Sequence, residues 1–455
     1  MDYPAAFAHL EKIFHAGLRK VDPRRLVETR LSLDGTLLTV TDGDSEIRLD
    51  LDDFDRIVVI GAGKASAALA RGLETVLGER IDRGLVVVKY GHTAPLQRIE
   101  ILEAGHPVPD ANGLAGARRI LEMAREADAR TLVVGLISGG GSALLTAPLQ
   151  SETGPALALA DKQETTRQLL ACGASIDEIN TLRKHLSAIK GGRLVRALHP
   201  ARCLNLVLSD VVGDRLDVIA SGPTVGDTST WADAMAVVER YGLAGRLPAT
   251  VMEVLRRGVA GELEETPGPG DASFAAIDNV LLGRNLDALK GAADQAGRLG
   301  YRPVLLTSQA TGEARELAVL LRAVARDVRG EGLLAARPAC LLCGGETTVT
   351  LRGEGKGGRN QELALAFLAG LRPDSNGDAG LYLLSAATDG DDGPTDAAGA
   401  FACTDLFAEA RRRGLDPGDY LRRNDSYRFF EQLGALLKTG PTNTNVCDLQ
   451  MVLVV

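Results

Sequence analysis

Phe7, Leu10, Phe14 and Leu18 recur at intervals of three and four, which predicts an amphipathic helix within residues 1–22. Alternating apolar and polar positions from about 31 to 50, with Asp42-Gly43 as the turn, predict a hairpin. The pattern then changes to short continuous apolar runs separated by helical stretches. Arg56-Ile57-Val58-Val59-Ile60 reads as a strand, a glycine turn follows, and residues 66–77 have helical spacing. Further strands are predicted at 84–88, 99–103, 131–137 and 203–209. A helix is predicted over 114–127, and two helical stretches precede the last of these strands. Strands alternating with helices indicate a mostly parallel sheet covered on both faces.

The segment Thr266-Pro267-Gly268-Pro269-Gly270-Asp271 has the composition of an exposed loop and introduces a second α/β series. There the predicted strands are 280–282, 304–306, 340–342, 347–351, 382–386 and the terminal 449–455, with a helix over 314–328. A chain of 455 residues is too long for one compact core. The expectation is therefore an α/β protein of two domains, 45–235 and 240–455, with 1–44 able to pack on either.

Composition narrows the function. The net charge is −9 with no long basic run, and aromatic residues are 4% of the chain, so general nucleic-acid binding is disfavoured. Six cysteines are scattered and no signal peptide precedes Met1-Asp2-Tyr3, which suggests a soluble protein of a reducing, cytoplasmic compartment. Cys340 and Cys343 fall three apart on a predicted strand and so point to opposite faces, which argues against a shared metal or disulfide. Leu132 to Leu149 is uncharged and long enough to resemble a membrane span. Its Gly139-Gly140-Gly141-Ser142 centre fits strand–turn–helix better, and no membrane association is expected. His92, His106 and His185 lack zinc-ligand spacing and are given no metal role.

Glycine is abundant, at 52 positions, and it concentrates in loops of one kind. Gly61-Ala62-Gly63-Lys64-Ala65-Ser66 follows a strand and opens a helix. It lacks the first glycine of a Walker A loop, since Val58 stands there, and Ser66 breaks the dinucleotide fingerprint. It is either an ordinary tight turn with a solvated lysine or a lysine held where open sheets bind ligands. Ser138-Gly139-Gly140-Gly141-Ser142 repeats the context. Three consecutive glycines are entropically costly, a cost offset if their N–H groups coordinate a phosphate and Ser138 or Ser142 adds a hydroxyl. Asp210 ends a strand in the same way, where a carboxylate could hold Mg²⁺, accept a proton, or simply cap a turn.

Gly353-Glu354-Gly355-Lys356-Gly357-Gly358 spells G-x-G-x-x-G, yet no acidic residue follows at the expected distance, near Pro373. Lys356 and Arg359 at the start of a predicted helix suit an oxyanion better; a flexible loop tip with solvated cations is the plainer alternative. Thr388 to Asp396 is rich in hard carboxylates that suit Mg²⁺, Asp389 first among them, or form a solvated turn. The hydroxyls and amides of Thr439 to Asn445, Asn443 included, could recognise a hydroxy acid or form a turn.

Taken together, GAGKAS (61–66), KYGHTAP (89–95), EAGHPVPD (103–110), LISGGGSALL (136–145), SDVVGD (209–214), SGPT (221–224), GGET (344–347), GKGGRNQE (355–362), ATDGDDGPTDAAGA (387–400) and TGPTNTNVCD (439–448) resemble the glycerate 2-kinases, the MOFRL-containing family whose members are often called hydroxypyruvate reductases. The resemblance runs from about residue 5 to the C-terminus. It implies a Rossmann-like doubly wound domain and a second α/β domain with a mixed sheet, with the active site in the cleft between them. It also implies ATP- and Mg²⁺-dependent phosphorylation of D-glycerate to 2-phosphoglycerate. The family's lysine of GAGKA and arginine of RNQE fall on Lys64 and Arg359, both as catalytic and as substrate-binding candidates.

The loops then take roles. Gly61, Gly63, Ser138, Gly139, Gly140, Gly141 and Ser142 are the candidates for holding the nucleotide phosphates. Asp210 or Asp389 holds Mg²⁺ or draws the proton from the 2-hydroxyl, and Asn443 contacts the hydroxy acid. The partners expected are D-glycerate and ATP, and self-association is left open. Two rivals remain: an NAD(P)-dependent hydroxypyruvate reductase using the 353–358 glycines, and a phosphometabolite-binding protein without turnover.

Overall fold

The computed structural model describes residues 2–43, 45–150, 156–372 and 378–455. The chain forms two compact units, Pro23–Leu282, and Met1–Asp22 together with Gly283–Val455.

In the first unit, β1 (Leu31–Asp34), β2 (Leu37–Asp42) and β3 (Ser45–Asp50) make a three-stranded antiparallel sheet, one strand more than a hairpin. Six more strands follow: β4 (Arg56–Ala62), β5 (Arg83–Lys89), β6 (Ile99–Ala104), β7 (Thr131–Ile137), β8 (Arg202–Leu208) and β9 (Ile277–Gly283). They are ordered β6-β5-β4-β7-β8-β9. The pairings of β4 with β5 and β7, of β5 with β6, and of β7 with β8 are all parallel. Every residue of β7 is buried, which is why its sequence is an unbroken apolar run and not an alternation. The chain passes from β4 to β5 and β6 on one side, then crosses to β7 on the other side of β4. That reversal makes the β4/β7 boundary the topological switch point, where open α/β sheets bind ligands.

A separate helical core in this unit gathers Leu169, Leu182, Trp231, Val238 and Leu255. It is built by the helices Leu159–Ala171, Ile176–His185, Trp231–Arg240 and Ala249–Val259. The last of these packs against Trp231 at Gly258, where an added Cβ would lie 2.2 Å from the indole. This core, and the seating of β9 beside β8, carry the unit to Leu282 and not to the expected break at 235–240. The apolar triplet 280–282 belongs to the first sheet, not the second series; a short apolar run carries no mark of the sheet it joins.

The second unit contains β10 (Arg302–Ala310), β11 (Ala339–Gly345), β12 (Leu381–Ala387), β13 (Gly399–Cys403), β14 (Leu436–Leu437) and β15 (Asp448–Val454). Their order is β10-β11-β15-β12-β13-β14. β10 and β11 are parallel, while β15 runs antiparallel between β11 and β12, so this sheet is mixed. Residues 347–351 do not form the predicted strand: Thr348 makes a lone bridge to Glu313. The first helix, Tyr3–Lys20, belongs here and packs on the helix Asn285–Arg298. Close approach is secured at Gly291, where a Cβ would come within 2.6 Å of Lys20 Cβ. Residues 1–44 therefore divide, the helix to this unit and the small sheet to the other.

All six cysteines are free, Cys340 and Cys343 included. No described helix is long and apolar enough to cross a membrane. The 132–149 run is β7, the glycine turn and a single helical turn, Gly141–Leu144.

Candidate active site

At the carboxyl ends of β4, β7 and β8 lie the Gly61–Ser66 loop, the Ser138–Ser142 loop and Asp210. The first two straddle the switch point and are tied together. Lys64 N–H donates to Gly139 O at 2.8 Å, and Ser138 N–H to Ala62 O at 3.1 Å. Ala65 N–H donates to Ser138 Oγ at 3.0 Å, and Ser66 Oγ to Leu136 O at 2.9 Å. Two glycines make this approach possible. A Cβ on Gly63 would lie 2.1 Å from Ser138 Oγ, at a φ of +143°, and one on Gly61 would lie 2.4 Å from Leu136 O. The signal of Gly63 therefore reports loop-on-loop contact, and that of Gly61 the contact of β4 with β7. Gly63→Ala should destabilise the protein by roughly 3 kcal/mol, read as a lower urea midpoint; an unchanged midpoint would contradict the packing.

Ser138 is fully buried, so its hydroxyl welds the loops from inside. Ser142 is differently placed. Its Oγ lies 2.7 Å from Ser221 Oγ, and Ser221 donates its hydrogen to Asn180 Oδ1 at 3.0 Å. With that hydrogen spent, Ser142 donates to Ser221 and keeps its lone pairs free as acceptors. Behind the turn, Lys190 is almost wholly buried and its Nζ donates to Ser142 O at 2.8 Å and Leu145 O at 2.7 Å. Burial pushes that ammonium well below its ordinary value, helped by the cations Lys162 and Arg183. Ala220, Ser221 and Gly222, which support Ser142, all have positive φ, at 51°, 61° and 62°. For the two non-glycine residues this costs about 1–2 kcal/mol each, strain that clusters at functional sites.

Lys64 is half-buried. Its carbonyl receives a hydrogen bond from His92 Nδ1 at 3.1 Å. Gly140 is left-handed, and a Cβ there would come within 3.0 Å of the His106 ring. Both histidines were set aside on metal-ligand spacing, and the structure uses them for packing the loops. Their placement within KYGHTAP and EAGHPVPD was the available signal. Asp210 is half-buried, just beyond the end of β8.

The loop 353–359 belongs to the second unit, and the structure revises its reading as an open anion trap. Gly353 and Gly355 lie against the backbone of Arg423–Asp425, where a Cβ would come within 2.5 Å of Arg423 O. Lys356 Nζ sits 4.1 Å from the Tyr427 ring centroid, a cation–π contact. The N-terminus of the helix Arg359–Ala369 is already filled: Asp392 accepts from Asn360 N–H at 3.0 Å and from Gln361 N–H at 2.9 Å. Gly358 leaves room for that carboxylate, since a Cβ would lie 2.3 Å from it.

Burial pushes the Asp392 carboxyl up to about 6, against the pull of those two N–H groups. The folded chain thus holds this proton more tightly than the unfolded chain does. Asp392 therefore contributes stability that is complete below about pH 4 and lost as pH rises through about 6. The loss, up to about 3 kcal/mol, should be missing from the pH dependence of urea midpoints in Asp392→Asn. An identical slope in variant and parent would contradict it.

Arg359 is not a free cation. Its Nε and Nη2 donate to Asp448 at 2.6 and 2.9 Å, and Nη1 pairs with Glu346 at 2.9 Å. Burial opposes its charge, but those carboxylates hold the guanidinium above its ordinary value. Glu346, Thr347, Gly357, Gly358, Arg359 and Gly393 line a cavity of about 520 Å³. Thr347 Oγ1 is buried there with no partner among the described residues. Asp389 and Asn443 lie on neighbouring loops of this unit: Thr442 N–H donates to Asp389 O at 3.3 Å, and Thr442 Oγ1 to Thr388 O at 2.5 Å. Asn443 is exposed with a φ of 60°. Among the described residues no three His, Cys, Asp or Glu side chains gather into a group that could hold a metal. Mg²⁺ on a nucleotide needs only one or two carboxylates beside the phosphates. Asp448, Asp392 and Glu346 were not singled out from the sequence, although Asp448 ends the TGPTNTNVCD motif and Glu346 lies in GGET.

Two family models match the chain: "Domain of unknown function (DUF4147)" over residues 9–256 and "MOFRL family" over residues 339–448. The chain is 42% identical over 404 residues to a D-glycerate 2-kinase of Thermotoga maritima, covering 89% of this chain and 92% of that protein. It is 44% identical over 401 residues to a putative hydroxypyruvate reductase of Agrobacterium vitis, covering 88% of this chain and 87% of that one. A crystal structure of Thermotoga maritima glycerate kinase aligns with a TM-score of 0.83 at 38% identity, over 99% of this chain and all of that one.

Proposed function

We propose that this chain, which belongs to the glycerate 2-kinase family, transfers a phosphoryl group from ATP to the 2-hydroxyl of D-glycerate, giving 2-phosphoglycerate. The observation that carries the reading is the pair of interlocked loops at the β4/β7 switch point, with Lys64 between them. Phosphoryl transfer asks mainly for positioning and for stabilisation of charge on the moving group. Lys64 supplies a cation where parallel strands deliver their ligand contacts. The Gly139–Ser142 turn, free of bulk at Gly139, Gly140 and Gly141, offers backbone N–H groups to the nucleotide phosphates. Ser142, whose proton is committed to Ser221, offers an acceptor and suits a metal-bound water or a substrate hydroxyl better than a phosphate oxygen.

Arg359 takes the anionic end of the substrate, with the unpartnered Thr347 hydroxyl in the same cavity as a second contact. Asn443 contacts the hydroxy acid. Mg²⁺, held by Asp210 or Asp389, would neutralise phosphate oxygens, and the other carboxylate would accept the 2-hydroxyl proton. Six free cysteines suit a cytoplasmic enzyme.

The reductase reading loses its dinucleotide loop. Gly353 and Gly355 pack on Arg423–Asp425, Gly357 on Ser426 and Gly358 on Asp392, and Asp392 occupies the helix N-terminus where a pyrophosphate would bind. The test is direct. ADP release should require D-glycerate and Mg²⁺ together, and NADH should not be consumed with hydroxypyruvate. NADH consumption without an ATP requirement would overturn the reading.

A further inference from the structure

The Pro23–Leu282 unit has a second basic feature that the kinase reading does not use. The helices Ala111–Arg125 and Arg193–Leu198 flank a cavity of about 520 Å³, a size that suits a small organic molecule. Leu121, Ala147, Pro148 and Ala197 give it apolar walls, and four guanidinium groups line it. Arg196 is neutralised by Glu264 at 2.6 Å and Asp271 at 3.1 Å. The other three make no ion pair with a described carboxylate, although Glu264, Glu265 and Asp227 act on Arg193 from a distance. The side chains of Arg118 and Arg125, on one face of their helix, make no hydrogen bond or ion pair with any described residue, although Glu122 stands between them. Arg193 donates from Nη2 to Glu264 O at 3.2 Å, but its Nε is buried with no partner among the described residues.

A buried donor left unsatisfied is costly and calls for an explanation. Burial and the neighbouring Arg196 cation also push the Arg193 guanidinium below its ordinary value, against the pull of Glu264, Glu265 and Asp227. Glu122 and the already engaged Glu264 are the acidic residues lining the cavity, so it carries positive charge in a chain whose net charge is −9. Guanidinium forks match the paired oxygens of phosphates and carboxylates.

We propose that this cavity is a binding site for a small organic oxyanion with two negative charges on an apolar body. The apolar part lies on Leu121, Pro148 and Ala197, and the oxyanion accepts from Arg118, Arg125 and the free Nε of Arg193. None of these residues takes part in the phosphoryl-transfer assignments.

The test is calorimetric titration of the full chain with 1-naphthyl phosphate, a dianion on an aromatic body, against neutral 1-naphthol. Wild type and Lys64→Ala should bind the phosphate equally at one site. The double variant Arg118→Ala/Arg125→Ala should bind at least roughly tenfold more weakly, from loss of two charge-assisted contacts. The naphthol should not bind. Both arginines are exposed, so the double variant should melt like the parent. No binding by wild type, equal binding by the double variant, or loss of binding in Lys64→Ala instead would overturn the proposal. The readout is binding, so a failure to phosphorylate D-glycerate leaves this test intact.

Discussion

Arg359→Ala is expected to cost the protein stability as well as turnover. Asp448 is fully buried, both its carboxylate oxygens accept from this guanidinium, and Asn360 adds a hydrogen bond but no charge. Removing the arginine leaves an unpaired buried charge, and breaking such a pair costs about 3 kcal/mol. The Arg359 side chain is 31% exposed, so solvent keeps the cost at the low end of the usual range. Turnover should fall by roughly a hundredfold or more, the size of losing one positioned charge donor. The two effects separate in Arg359→Met/Asp448→Asn, which removes both charges. That variant should recover most of the urea midpoint and none of kcat. Recovery of turnover alongside stability would make Arg359 a structural residue only.

Lys64→Ala should behave in the opposite way, with a large kinetic loss and little change in stability. Alanine retains what the Lys64 backbone gives the fold, its N–H on Gly139 O and its carbonyl under His92. The urea midpoint should therefore move by less than about 0.5 kcal/mol equivalent, while kcat falls by roughly a hundredfold or more. Near-normal kcat would remove Lys64 from the chemistry. A large loss of stability would mean its side chain is a structural member of the loop.

The strands that position Lys64 were legible because β4 and β7 are buried on both faces, and continuous apolar runs between glycine turns report that directly. The mixed sheet could not be read from the pattern itself: β13 is Gly399-Ala400-Phe401-Ala402-Cys403, too small and irregular to stand out. Thr347-Thr348-Val349-Thr350-Leu351 has strand propensity, but it borders the cavity beside Arg359 and keeps only one bridge. The site was half legible. Lys64, the glycine turn and Arg359 announce themselves by local spacing. The residues that govern them do not, because they arrive from far along the chain. Asp392 caps a helix 32 positions earlier, and Asp448 pairs with a guanidinium 89 positions earlier. The glycines were ambiguous in principle: Gly61 excludes a Cβ because β7 is there and Gly63 because the Ser138 loop is there, and a ligand would leave the same mark in sequence.

The regiochemistry of transfer gives the most direct test of this account. Purified protein is incubated with D-glycerate, ATP and Mg²⁺, and product formation is followed through enolase with no phosphoglycerate mutase present. An immediate enolase signal that is absent without ATP is the expected result, because the product is 2-phosphoglycerate. A signal that appears only after mutase is added would mean transfer to the 3-hydroxyl and would contradict it, as would no signal at all.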